Sequence, residues 1–324
     1  MNSTGVTPNY IHDYAIVCSF SAILIVSAVV ISITILILVR RTKPRLHTIR
    51  HLLMCNTCVA SILYCIVQIN NYVFLFFVPS VTSNIYCRWR AYFTYFTLCA
   101  VTYSFLIQAI SRLFIAVFST KYKCLVTFKT HYILVIIQWF TVTIIPISVV
   151  VTKDVYYRPM KFCWVPMKKI IHTSYILIAC YIIPTLSICI IYIFIFYHIK
   201  QAKKGARHLL RVLHGERRDF QLLRNILILL SIYLMGGIPL VLYVLSSNRI
   251  LYLIGIVTIS LTVAAEKVCT ILLDQELRQI ITKLLSRMKR IAPLDNTNTR
   301  PGYQEKLPHI QRAMTQPQPN TENT

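Results

Sequence analysis

Tyr14 to Val39 reads YAIVCSFSAILIVSAVVISITILILV, and this stretch decides the fold. It contains no charged residue. As a helix it would extend about 39 Å, more than the roughly 30 Å of bilayer hydrocarbon. It is too long for a signal-peptide core, and no basic segment precedes it, so it reads as a retained membrane span. Six further apolar runs follow: Ile49 to Phe77, Arg90 to Phe118, His131 to Val151, Ile171 to Ile199, Leu222 to Val244 and Ile250 to Leu273. Hydrocarbon offers backbone amides no water, so each run must satisfy its own hydrogen bonds as a helix. The seventh is interrupted by the adjacent pair Glu266 and Lys267. The sequence therefore predicts an all-α membrane protein, a seven-transmembrane helix bundle over residues 14–273.

Composition agrees. Of 324 residues, 56% are hydrophobic and 14% charged, whereas a soluble domain carries about a quarter charged residues. Mean hydropathy is +0.62. The formal charge of +24 invites a nucleic-acid reading, but the basic residues flank apolar runs instead of lining one face of a soluble module. Most of the 11 cysteines, Cys99 and Cys180 among them, lie inside apolar runs and read as small buried hydrophobes. No paired C-x-x-C spacing suggests zinc, and no nucleotide loop or nucleophile triad is present, so neither cofactor nor catalysis is expected.

Lys and Arg set the orientation. They crowd the first, third and fifth loops (Arg40 to Arg50, Lys121 to Lys129, Lys200 to Arg218) and the segment after Leu273. The first thirteen residues have none. The expectation is residues 1–13 outside and the C-terminus in the cytoplasm of a plasma-membrane protein. Asn2-Ser3-Thr4 is a glycosylation acceptor on the outer side. The loop Thr152 to Ile170 is the exception, extracellular yet basic, with Lys153, Arg158, Lys161, Lys168 and Lys169 against the single acid Asp154. Such a field would concentrate an anionic ligand, and surface sugars or lipid headgroups would answer to it equally. Over residues 274–290, Leu277, Ile280, Ile281, Leu284, Leu285 and Met288 recur at helical spacing among basic residues. That pattern predicts an amphipathic helix on the inner leaflet. Residues 291–324 are rich in Asn, Thr, Gln and Pro and read as a disordered tail.

Specific spacings narrow the class. Arg112 follows Cys87 by 25 residues, a full crossing of about 37 Å. The stretch Ser104 to Arg112, Asn56-Thr57-Cys58-Val59-Ala60-Ser61, Trp139, Pro184 with Tyr192 eight residues on, Pro239, and Asp274 to Arg278 follow in order. Together they resemble the rhodopsin-like G-protein-coupled receptors over about Ile11 to Met288, as a divergent member. That resemblance implies an extracellular ligand, a heterotrimeric G protein as partner, and helix rearrangement as the signal. It implies a disulfide between Cys87 and Cys163, the latter in the loop between the fourth and fifth spans. It assigns activation and coupling to Arg112, Tyr192, Asp219 and Pro239. Asp219 lies 20 residues before Pro239, where the family places an acid facing the third-helix arginine. The outer third of the third helix, Tyr92, Thr94 and Tyr95, falls where family ligands bind, although an interfacial aromatic belt would also explain the aromatics.

The departures are as specific. Ser61 stands in place of the family's sodium-binding aspartate, Ser111-Arg112-Leu113 in place of Asp-Arg-Tyr, and Gly236-Gly237-Ile238-Pro239 in place of Cys-Trp-x-Pro. The Asn-Pro-x-x-Tyr motif aligns to Glu266-Lys267-Val268-Cys269-Thr270. Glu266 and Lys267 either reach the inner interface or join a buried polar network. Two rival functions follow: a seven-helix channel or carrier using that pair, and a decoy receptor that binds without signalling.

Overall fold

The computed structural model describes residues 8–42, 48–77, 83–118, 122–157, 162–166, 168–205, 228, 231–232, 234–246 and 248–291. These fall in two compact units, Met1–Ile281 and Thr282–Thr324; of the second, the described part is the final helical segment. The helices are α1 (Pro8–Arg41), α2 (Ile49–Phe77), α3 (Asn84–Phe118), α4 (Phe128–Val151), α5 (Ile170–Gln201), α6 (Leu234–Ser246), α7 (Arg249–Leu273) and α8 (Gln275–Ile291). Six of them, α1 to α5 and α7, are long and apolar enough to cross a membrane, and α6 is a shorter apolar helix. Most of the predicted sixth span before Leu234, and the tail beyond Ile291, lie outside the described residues.

Several helices begin before the apolar run does, because a polar residue caps them. Ser83 Oγ accepts from Ile85 N at 3.3 Å, so α3 starts at Asn84 and not at Arg90. Thr127 Oγ1 accepts from Thr130 N at 3.4 Å and starts α4 at Phe128. Asn248 Oδ1 accepts from Ile250 N at 2.9 Å and starts α7. Each cap satisfies amides that have no partner within the helix. Prolines reshape two helices. Pro184 offers no N–H to the carbonyl of Cys180, and the turn before it widens to a π-turn, Ile178–Ile182. Pro146 separates the two pieces of α4, Phe128–Ile144 and Ile147–Val151.

Among the described residues of the unit Met1–Ile281, the apolar core also holds buried polar side chains, and large aliphatics lie on the outside. Ile16, Ile23, Val30 and Ile37 of α1 are exposed at every seventh position, while Cys18, Ser21, Ile25, Ala28, Ser32 and Ile35 are buried. Small residues, with Ile25 and Ile35, face the neighbouring helices, and the other large aliphatics of this set face outward. That arrangement suits lipid, where close backbone approach and van der Waals packing replace the hydrophobic drive. Helix α1 packs against α2 and α7, and α3 against α2, α4 and α5. Helix α6 is held by two hydrogen bonds to its backbone. Tyr181 of α5 donates to the Leu234 carbonyl at 3.2 Å, and Thr258 of α7 donates to the Gly236 carbonyl at 3.1 Å. The glycines of α6 make this approach possible. A Cβ on Gly236 would overlap the Thr262 side chain, and one on Gly237 would meet the Tyr181 ring.

Candidate functional site

At the N-terminal end of α3, Cys87 is disulfide-bonded to Cys163, their Cα atoms 5.3 Å apart. The bond pins the loop over the helix ends. Phe162 N donates to the Tyr252 hydroxyl at 3.4 Å, and Val165 N donates to the Tyr95 hydroxyl at 3.1 Å. The Phe162 and Trp164 rings pack on Tyr252 with centroids 6.1 and 5.5 Å apart. The loop's other shoulder is latched by Asp154, which accepts from Lys169 Nζ and His172 Nδ1, each at 3.1 Å. The Lys169 hydrogen bond, followed by that from His172, holds the Asp154 carboxyl below the usual carboxylate range.

Beneath the loop is a cavity of about 120 Å³. Thr94 and Tyr95 of α3 line it together with Trp164 of the loop, Tyr181 of α5, Gly237 of α6 and Val263 of α7. Tyr92 is not in the lining. At 100° per residue it lies about 160° around the helix from Thr94 and about 60° from Tyr95: its hydroxyl donates to the Thr143 carbonyl of α4 at 3.2 Å, and its ring stacks on Phe96. Thr94 is itself held in place, donating to the Arg90 carbonyl at 2.9 Å and accepting from Asn71 Nδ2 at 3.0 Å. Arg90 is buried with neutral partners, the Asn70 carbonyl at 2.6 Å and the Phe74 ring at 4.0 Å.

In the C-terminal third of α7, Glu266 and Lys267 are 4% and 1% exposed, so neither reaches the protein surface. Lys267 Nζ lies 2.7 Å from Glu266 Oε2 and 3.0 Å from Oε1. The ammonium faces Cys58 and Cys65 of α2. Ser61 lies between those cysteines in sequence, and its hydroxyl is buried with no hydrogen-bond partner among the described residues. Polar side chains also join α2, α3 and α4: Asn56 Nδ2 donates to Gln138 Oε1 at 2.7 Å, Trp139 Nε1 donates to Asn56 Oδ1 at 2.9 Å, and Gln138 Nε2 donates to the Ala100 carbonyl at 3.2 Å.

At the opposite end of α3 from Cys87, Arg112 is half-buried and within electrostatic reach of the buried Tyr192 hydroxyl of α5. The structure thus brings together two of the four residues assigned to coupling. Pro239 lies on α6, and Asp219, like Asn2, is outside the described residues. Sequence reading missed His131. Its Nδ1 is 2.8 Å from the Thr127 carbonyl and its Nε2 is 2.8 Å from Ser111 Oγ. The carbonyl fixes the proton on Nδ1, so Nε2 accepts from Ser111, the residue beside Arg112. Asp274 ends α7 and caps α8, accepting from Glu276 N and Leu277 N at 3.1 and 3.2 Å, and pairs with Arg50 of α2 at 2.9 Å.

Cys99 and Cys180, read as small buried hydrophobes, are both buried, and they stand at disulfide distance, their Cα atoms 5.0 Å apart between α3 and α5. They come from helices 81 residues apart in sequence, so no local pattern pairs them.

A family model described as "7 transmembrane receptor (rhodopsin family)" matches residues 32–251, more than half of the chain. Among curated proteins none matches significantly.

Proposed function

The chain belongs to the rhodopsin family of seven-transmembrane receptors, and from that premise we propose that it binds an extracellular ligand and activates a heterotrimeric G protein by helix rearrangement. In this reading the short α6 is the described part of a sixth span. The N-terminus, with Asn2 glycosylated, faces outward, and α8 lies on the inner leaflet. The Cys87–Cys163 disulfide fastens the loop over the ligand site, to which Thr94 and Tyr95 contribute. Arg112, Tyr192 and Pro239 transmit the change, and Asp219 pairs with Arg112 at rest.

One observation carries the reading. The cavity and the Arg112–Tyr192 pair lie at opposite ends of the same two helices, α3 and α5. A ligand that prefers one arrangement of these helices shifts the population at the inner end by its difference in affinity. The carrier alternative draws no comparable support, because Glu266 and Lys267 satisfy each other's charge.

The test is a ligand screen in cells with G-protein dissociation as readout. A ligand that triggers dissociation in the native chain and not in Arg112→Ala, at matched surface expression, supports the reading. In the same assay Asp219→Asn raises basal dissociation. Saturable binding without dissociation would identify a decoy.

A further inference from the structure

The charge on the extracellular loop and the chemistry of the cavity beneath it do not match. Lys153, Lys168 and Lys169 are exposed, and Lys169 is engaged by Asp154. None of the three lines the cavity, and among the described residues its lining holds no Asp, Glu, Lys, Arg or His. The loop therefore acts on what approaches, and the cavity selects what stays.

The polar groups of the lining carry the argument further. Four hydroxyls already spend their proton on a backbone carbonyl: Thr94 on Arg90 at 2.9 Å, Thr173 on Pro166 at 3.3 Å, Tyr181 on Leu234 at 3.2 Å and Thr262 on Thr258 at 2.7 Å. Gln68 donates to the Tyr64 hydroxyl at 3.1 Å and accepts from Asn71 at 3.2 Å. A hydroxyl that donates inward presents oxygen lone pairs to the cavity. The lining also holds donors, the Trp164 indole N–H and the Tyr64 and Tyr95 hydroxyls, which accept from Gln68 and Val165; a carboxylate or phosphate entering here would lose its water and find hydrogen bonds but no counter-charge. An ammonium would meet acceptors but no counter-charge. A neutral molecule with an apolar body and one hydroxyl or N–H loses little water and finds an acceptor.

We infer that this cavity takes an uncharged lipophilic ligand bearing a hydrogen-bond donor. The inference rests on the receptor reading for its physiological meaning, whereas the binding it describes can be measured without any G protein.

The experiment uses the full chain in lipid nanodiscs and four matched probes: 2-naphthol, 2-methoxynaphthalene, 2-naphthoate and 2-naphthylmethylammonium. Saturable thermal stabilisation is the readout. Naphthol should bind tightest, and the methyl ether, which has lost the donor, about tenfold more weakly. The two ions should bind about 100-fold more weakly or worse, because an unpaired buried charge is costly. Gln68→Glu, nearly isosteric, should reverse the order and favour the ammonium probe. Leu98→Trp, which fills the cavity, should abolish the saturable effect of naphthol. Equal or tighter binding of naphthoate or the ammonium in the native chain overturns the inference. So does the absence of saturable stabilisation by naphthol, or its persistence in Leu98→Trp. If naphthol behaves as expected and no ligand ever triggers G-protein dissociation, the receptor reading fails and this inference stands.

Discussion

Removing one member of the Glu266–Lys267 pair should destabilise the bundle far more than removing both. Both side chains are almost fully buried, at 4% and 1% exposure, and their closest contact is 2.7 Å. Among the described residues, the one other side-chain donor to the carboxylate is Thr270 Oγ1, at a long 3.4 Å. An exposed pair would be worth less than about 1 kcal/mol, but one-sided loss of a buried pair costs about 3–5 kcal/mol because it strands a charge. Glu266→Gln leaves an amide oxygen for the ammonium and belongs at the lower end, about 3 kcal/mol. Lys267→Met leaves the carboxylate facing the α2 thiols and belongs at the upper end, about 5 kcal/mol. Glu266→Gln combined with Lys267→Met strands nothing and should fall within about 1 kcal/mol of the native chain. At about 2–4 °C per kcal/mol, the single variants lose roughly 6–20 °C in Tm and the double variant only a few degrees. Intrinsic tryptophan fluorescence during thermal unfolding of the solubilised protein reads this directly. Single variants within about 3 °C of native, or a double variant worse than either single, would refute the reasoning.

Three further outcomes are expected. Peptide mapping without reductant should find Cys87 and Cys163 protected from alkylation in native protein and Cys124, which is free and exposed, fully alkylated. Gly236→Ala should force α6 from α7, costing about 1–3 kcal/mol for overpacking less about 1 kcal/mol of helix propensity; Gly255→Ala, whose added Cβ would find its nearest neighbours at 3.6–3.8 Å, should be tolerated, and paired melting curves decide. The Asp154 latch depends on a carboxyl whose folded pKa is depressed, so its contribution is fully present above about pH 3.9, the unfolded value, and is lost only as pH falls through the lower folded value; amide exchange at Ile170 to Thr173 that speeds up already at pH 5 would count against it.

The spans were legible because length and apolarity are read one helix at a time. Their starts were less so: Ser83, Thr127 and Asn248 are ordinary polar residues until a helix direction is assigned. The inward face of α1 was hidden, because lipid makes Ile23 and Ile25 equally acceptable in sequence while only Ile25 is buried. Within the site, Thr94 and Tyr95 follow from position on α3, and the same reasoning placed Tyr92 one step too far around the helix. His131 looked like the first residue of a span and proved to be the partner of Ser111. The nearness of Cys99 to Cys180 could not be read, because it depends on how two distant helices rotate against each other.

The packing of α1 on α7 also sets a timetable. Arg249 meets Asp13 across 236 residues of chain, and the Tyr72 hydroxyl meets Ser260 across 188. A ribosome adding 5–20 residues per second needs about 10–50 s to cover the longer gap. Through that interval α1 and α2 are already synthesised, with Asp13, Tyr72 and the thiols of Cys58 and Cys65 still waiting for α7. Helix α7 carries both the charge pair and the surface that packs on α1. Assembly is therefore decided at the end of synthesis, and a truncated or stalled chain would leave its polar seam open to lipid.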